Sequence, residues 1–347
     1  MPNKRDYGAN PFSVTVIYQR GENMVADPDS DLNPWLDMLR SKELSDRLVA
    51  VKTLQHLGEE AALQPLITAL QDESLAVQKL AVTALWELAN KNAVPALLTC
   101  LESPDAEIRT EAMSALGELV TPDHLLLLLD ALQKDNPNVQ ISVLTLLRKI
   151  HDAQSLPYVL PFFEAEQAAL REAAVITLRY LNQVERCQPA LALMSDSDAT
   201  VRRAAALTLG HLADQQVVSL LCQALTSDAD WQVRRNAAKS LALHASTEAL
   251  PALRTALEDK HWQVRRFAIQ VLQKTPDNRF LPACVKVLTD ESSDVRRDAA
   301  IALGILKNPD ALNALQQALD DPDRDVCIYA QRAIQAIQES QQESAHA

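Results

Sequence analysis

The sequence predicts an all-α chain, a right-handed α-solenoid (superhelix) of about ten two-helix repeats. Three observations lead there. One phase recurs along the chain: Arg47, Gln78, Arg109, Gln140, Arg171, Arg202, Arg234, Arg265, Arg296 and Cys327 follow one another at 31 residues, with a single step of 32 between Arg202 and Arg234. Apolar residues repeat around that phase at helical spacing. The chain holds only 6 glycines and 4% aromatics, and Ala and Leu dominate, which favours helix over sheet. Fixed-period repetition marks stacked units, each burying its apolar face only against its neighbours.

Residues 1–30 fall outside the phase. Ser13–Tyr18 has the composition of a short strand, but Pro, Asn and Asp surround it, and the segment reads as a flexible N-terminal extension. Met24 is an alternative start of translation. The repeats then run over residues 31–338. A preceding half unit is marked by Trp35, Met38 and Leu39.

With the recurring position numbered 0, position −1 is Val, Ile or Leu, as in Val77, Ile108 and Val201. Position +3 is small, as in Ala81, Ala205 and Ala299, and position +7 is Leu or Ile, from Leu54 to Ile334. Offsets of −1, +3 and +7 share one helix face, and the small residue admits a neighbouring helix closely. Ser74, Asp105, Asn136, Asp198, Asp230, Ser292 and Asp323 at −4 are N-cap residues for this first helix. A short polar turn leads to a second apolar pattern, such as Leu63, Leu66, Leu70 or Leu250, Leu253, Leu257. Pro65, Pro95, Pro157, Pro189, Pro251 and Pro282 stand near the start of this second helix, where a missing N–H costs least. The last first-type helix carries Gln331, Gln335 and Gln338, a wetter face suited to an end cap. Residues 339–347 form a polar tail.

The pattern D-x-x-x-x-V-R-x-x-A-x-x-A-L, fullest in Asp196–Leu209 and Asp290–Leu303, resembles HEAT repeats. The unit is shorter than ordinary HEAT repeats of about 40 residues and is similar to the short bacterial form in E/F-type phycobilin lyase subunits. The overall layout is also similar to that of the cyanobacterial HEAT proteins that bind the iron–sulfur assembly protein IscA. These resemblances imply a cytoplasmic interaction scaffold, accessory to iron–sulfur assembly or iron homeostasis, with an IscA-type partner. The alternative they imply is a bilin lyase-like subunit that handles a tetrapyrrole for attachment to a phycobiliprotein cysteine. A nucleic-acid-binding HEAT protein ranks third.

Composition narrows this further. The net charge is −13, so nucleic acid and anionic membranes are repelled except at a local basic patch. No apolar run reaches the ~18 residues of a membrane span, and the N-terminus lacks the apolar core of a signal peptide. The 5 cysteines have no CxxC spacing and read as reduced thiols. Cys100, Cys187 and Cys284 occupy apolar phases and are expected to be buried. Cys327 replaces the arginine of the final unit. The histidines show no i,i+4 pair, no phosphate loop or catalytic triad is spaced for chemistry, and neither a metal site nor a cofactor of the chain's own is expected. A tetrapyrrole or an iron–sulfur cluster shared between chains enters only through the resemblances.

Two sets of residues remain as sites. Asp72, Asp196, Asp228, Asp259, Asp290 and Asp321 lie six residues before position 0, which suggests an Asp–Arg ladder that ties turns to helices. Position +1 is arginine only in four adjacent units: Arg203, Arg235, Arg266 and Arg297. Trp231 and Trp262 precede two of them in the twin motif Trp-Gln-Val-Arg-Arg. Aromatic and arginine side chains are typical anchors of interfaces, so this row is the main candidate for binding an acidic protein surface. As exposed charges its members are expected to contribute only ~0–1 kcal/mol each to folding. Secondary candidates are Cys327 and the stretch Pro157–Phe163, whose extra proline marks a hinge or groove near Tyr158 and Phe162.

Overall fold

The computed structural model describes residues 32–181 and 184–346. Every regular element among them is an α-helix or a 3-10 turn, and none is a strand. The N-terminal extension, its expected strand and Met24 lie outside the described residues. The chain divides into two compact units between Asn90 and Lys91. Repeats are numbered one to ten by their position-0 residue, from Arg47 to Cys327.

The first unit stacks Asn33–Leu39, Leu44–Leu57, Leu63–Ala69 and Leu75–Leu88. The second carries the first helices of repeats three to ten: Ala106–Leu119, Pro137–Ile150, Ala168–Leu178, Ala199–Leu209, Trp231–His244, Trp262–Lys274, Ser293–Leu306 and Arg324–His346. Shorter second helices alternate with them, among them Leu250–Ala256 and Leu281–Val287. Within this unit each of the first helices from repeat three on packs on the next, so the repeats form a layer of first helices backed by a layer of second helices.

The core is the predicted stripe. Val77, Val201, Val233, Val264 and Val295 at −1 are fully buried, as are all eight alanines at +3 from Ala81 to Ala330. Leu54, Leu85, Leu116, Leu147, Leu209, Leu241 and Leu303 at +7 are equally inaccessible. Burial of each such Val or Leu contributes about 1.5–3 kcal/mol relative to exposure. Gly210 and Gly304, both at +8, bring first helices closer still. A Cβ on Gly210 would lie 2.5 Å from the Ser240 side chain, and one on Gly304 would lie 3.0 Å from Ala333. Gly117 holds the same phase in repeat three and faces open space.

Both helix ends follow local chemistry. Asp105, Asn136 and Asp230 cap their helices by accepting from two backbone N–H groups, and Asp198 from one. Ser74 and Ser292 make no such bond. Five first helices end at position +11 on a left-handed residue: Gly58, Ala89, His151, Ala245 and Lys307, with φ between 46° and 62°. Four of these carry a side chain, at a cost of about 1–2 kcal/mol each, so the stacked turn imposes the conformation. Pro95, Pro157, Pro189, Pro251 and Pro282 stand in the first turn of their second helices. In repeat four that helix is broken into an α-turn Leu156–Val159 and a 3-10 stretch Leu160–Glu164, with Pro161 at the break. Residues 339–346 continue the last helix.

Candidate protein-binding surface

Position 0 does two jobs. Its first is local. Arg171 Nη1 donates to the backbone carbonyls of Ala165 and Glu166 at 2.7 and 2.9 Å, in the turn that precedes its own helix. Arg109, Arg202, Arg234 and Arg296 bind their own turns in the same way. Gln78 and Gln140 reach one such carbonyl each through the side-chain amide, and the Cys327 thiol lies 3.1 Å from the Asp321 carbonyl. Its second job crosses the seam between repeats. Arg171 grips Asp196, Arg202 grips Asp228, Arg234 grips Asp259, Arg265 grips Asp290 and Arg296 grips Asp321, each through two N–H···O bonds. Arg47 does the same to Asp72 inside the first unit.

The acid partner of each arginine is therefore the aspartate of the following repeat, 25 or 26 residues on. The same carboxylate accepts from the backbone N–H two residues later, as Asp196 does from Asp198 and Asp259 from His261. The hydrogen bond from Arg171 holds Asp196 below the usual carboxylate range, and Arg296 does so for Asp321. Paired, half-dry and doubly hydrogen-bonded, this ladder is a stacking clamp.

The row at +1 is brought together along the first-helix face, and most of its charge is matched within the molecule. Arg203 forms a two-pronged ion pair with Asp230, the N-cap of the next helix. That bond, aided by the capped amides of Val233 and Gln232, holds Asp230 down at about 2. Arg266 reaches Asp298 at 3.1 Å and Asp294 at 3.3 Å, and Arg297 reaches the same two carboxylates. Asp298 is buried, 4% exposed, and also accepts from Gln270 at 2.7 Å. The expectation that all four arginines are exposed and energetically idle is thus corrected: Arg266 and Arg297 neutralise a buried carboxylate.

Arg235 differs. Its guanidinium sits 5.5 Å from the Trp231 ring centroid and donates to Asn236. His261 stacks on Trp231 at 4.9 Å and 20°. The half-buried indole is thus held by a cation and by an imidazole from the next repeat. Trp262 is half-buried too, but its arginine turns to the acids of repeat nine. Arg203 also lines a shallow groove of about 260 Å³ with Tyr180, Ile176 and Leu207.

Tyr158 is exposed and Phe162 half-exposed, while Phe163 is buried against the core. Cys327 is half-buried. Cys100, Cys187 and Cys284 are buried, and burial pushes Cys284 up to about 12 and Cys100 to about 11. Among the described residues no group of three His, Cys, Asp or Glu is placed to hold a metal ion. None of the described helices is long and apolar enough to cross a membrane.

The repeat phase alone did not bring out a feature of the second-helix layer. Clefts of about 550 and 380 Å³ adjoin at the seam between Leu250–Ala256 and Leu281–Val287. Arg254 lines both, with its guanidinium 5.4 Å from the Phe280 ring centroid. The signal lies in the second-helix phase, where Arg254 is the one charge and most other repeats carry an apolar residue.

The family model for HEAT repeats matches residues 32–117, 69–136, 94–179, 187–262 and 250–338. No curated protein matches the chain. Among solved structures, an engineered protein is 20% identical with a TM-score of 0.52 over 89% of this chain and 99% of its own. A chain in the structure of Kap95p bound to RanGDP is 14% identical with a TM-score of 0.58. This chain covers about half of that one, 51%, with 89% of its own length matched. Likeness at these identities shows the fold alone.

Proposed function

The chain belongs to the HEAT-repeat family, and from that premise we propose that it is a non-enzymatic scaffold that holds a protein partner on the first-helix face of repeats six to eight. HEAT solenoids typically mediate protein–protein interactions. The observation that carries this reading is the Trp231 ring, fixed between Arg235 and His261. An aromatic anchor ordered before the partner arrives loses little entropy on binding. Arg235 is the member of the +1 row that rests on an aromatic ring and an amide, so its charge is the one most available to an acidic surface.

The test is affinity purification from the native cell with the wild-type chain and with Trp231→Ala and Arg235→Glu. Trp231→Ala should weaken the partner by roughly 2 kcal/mol or more, with an unchanged helical circular dichroism spectrum. Retention of every partner by both variants would move the interface elsewhere. The finer readings, an accessory of iron–sulfur assembly and a bilin lyase-like subunit, are carried by resemblance and by no residue of this fold. Co-purification with an IscA-type protein would support the first. New visible absorbance on adding a bilin would support the second. Nucleic-acid binding disfavoured by the net charge of −13 would be revealed by a steep salt dependence.

A further inference from the structure

We propose that the seam between the second helices of repeats seven and eight is a docking site for an acidic peptide segment of a protein partner. This site is separate from the Trp231 surface and does not depend on it. Two departures from the repeat meet there. In the phase of Arg254, six other repeats place Ile67, Leu98, Leu129, Leu160, Leu191 and Val285 and one places Cys222, all buried or half-buried, and repeat nine places the exposed but uncharged Gln316. In the phase of Phe280, four other repeats place the small Ala62, Ala93, Ala249 and Ala311, and none places an aromatic ring other than the imidazole of His124. An arginine does not fill an apolar seam. It stands out over the buried Phe280 ring and leaves the two adjoining clefts that it lines.

The cation–π contact places the guanidinium over the ring and uses none of its N–H donors. Among the described residues no carboxylate pairs with Arg254. Lys260 and Lys286 line the same cleft, Lys286 in an exposed pair with Glu258 at 3.0 Å. Arg279 lines the other, paired with Asp277. The buried acids of this seam, Asp259 and Asp290, are already neutralised by Arg234 and Arg265. What faces the solvent is a forked donor flanked by spaced cations, with Glu258 and Asp277 between them. That pattern suits the separate carboxylates of an extended peptide, one of them held bidentately by Arg254. A continuous polyanion such as nucleic acid would meet the intervening acids and the net negative chain.

The experiment is fluorescence anisotropy of the full chain with three fluorescein-labelled probes: a glutamate–serine peptide, its lysine–serine counterpart and a single-stranded oligonucleotide of equal length. The glutamate peptide is expected to bind most tightly. Arg254→Leu places the leucine found at this phase in repeats two to five, so it should fold at least as well as wild type and lose affinity by about tenfold or more. Lys286→Ala should lose less. Wild-type affinity in Arg254→Leu would overturn the proposal. So would equal binding of the glutamate and lysine peptides, or tighter binding of the oligonucleotide.

Discussion

Repeats five to ten and repeats three and four share one sequence phase and one core, yet they are fastened differently. From Arg171 to Asp321 every seam is crossed by a bidentate arginine–aspartate pair. In repeat three the arginine is present, but Lys134 occupies the aspartate's place in repeat four. Arg109 binds only its own turn, and Lys134 turns back to an exposed pair with Glu102. In repeat four Gln140 replaces the arginine and Ala165 the acid. There the seam relies on apolar packing, with Arg148 donating to Thr177 and to the Ala173 carbonyl and the Thr177 hydroxyl to the Leu144 carbonyl. Arg148 is depressed from its usual range by burial. The comparison separates the two jobs of position 0. Binding the turn is shared by Arg, Gln and Cys, whereas clamping the next repeat needs Arg together with the following Asp.

The largest effect should come from breaking a clamp. Asp259→Ala leaves Arg234, 8% exposed, without its partner, and removal of one member of a largely buried pair costs about 3 kcal/mol. Lys134→Ala in the unclamped stretch removes an exposed pair worth ~0–1 kcal/mol. Urea unfolding of the two variants measures the difference. Equal losses would show that the clamp adds nothing to a seam.

The glycines at +8 divide the two regions in the same way. Gly210→Ala drives a methyl into Ser240 and should destabilise by about 1–3 kcal/mol. Gly117→Ala meets open space within a helix and should stabilise by roughly 0.5–1 kcal/mol. The same substitution at the same phase then changes stability in opposite directions, readable from the shift in thermal midpoint.

The smallest effect is on pH. Burial holds His244 and His211 below the ordinary value of 6.5, and His244 Nε2 has no hydrogen-bond partner. Both take up a proton less readily in the fold than in the unfolded chain, which binds protons below about 6.5, so stability present above that pH is lost as pH falls below it. Asp230 adds stability above the ordinary 3.8 that is lost only as pH drops toward about 2. Urea midpoints at about pH 7 and pH 5.5 should fall, and His244→Leu should flatten that fall.

The core, most caps and three buried cysteines were legible because each rests on side-chain size or local hydrogen bonding within one repeat. The clamp was half legible. Asp and Arg were visible in phase, but their pairing is set by the stacking of consecutive repeats, which spacing along one unit does not encode. For the same reason Asp230 read as a cap alone, although it also holds Arg203, and Asp298, buried beneath Arg266 and Arg297, drew no notice in the repeat pattern. Arg254 shows the reverse case. Its signal was present as a lone charge in a mostly apolar phase, and only the open seam around it gives that charge a use.

The central claim, that arginine–aspartate clamps make repeats five to nine a more tightly held block than repeats three and four, is tested most directly by native-state hydrogen exchange. Amides of the first helices from Ala168 to Leu306 should exchange through a shared, high-energy opening, and those of Ala106–Leu119 and Pro137–Ile150 through a lower one. In Asp259→Ala the protection of Trp231–His244 and Trp262–Lys274 should drop toward that lower level. Equal protection across both regions in the wild-type chain, unchanged by Asp259→Ala, would contradict the account.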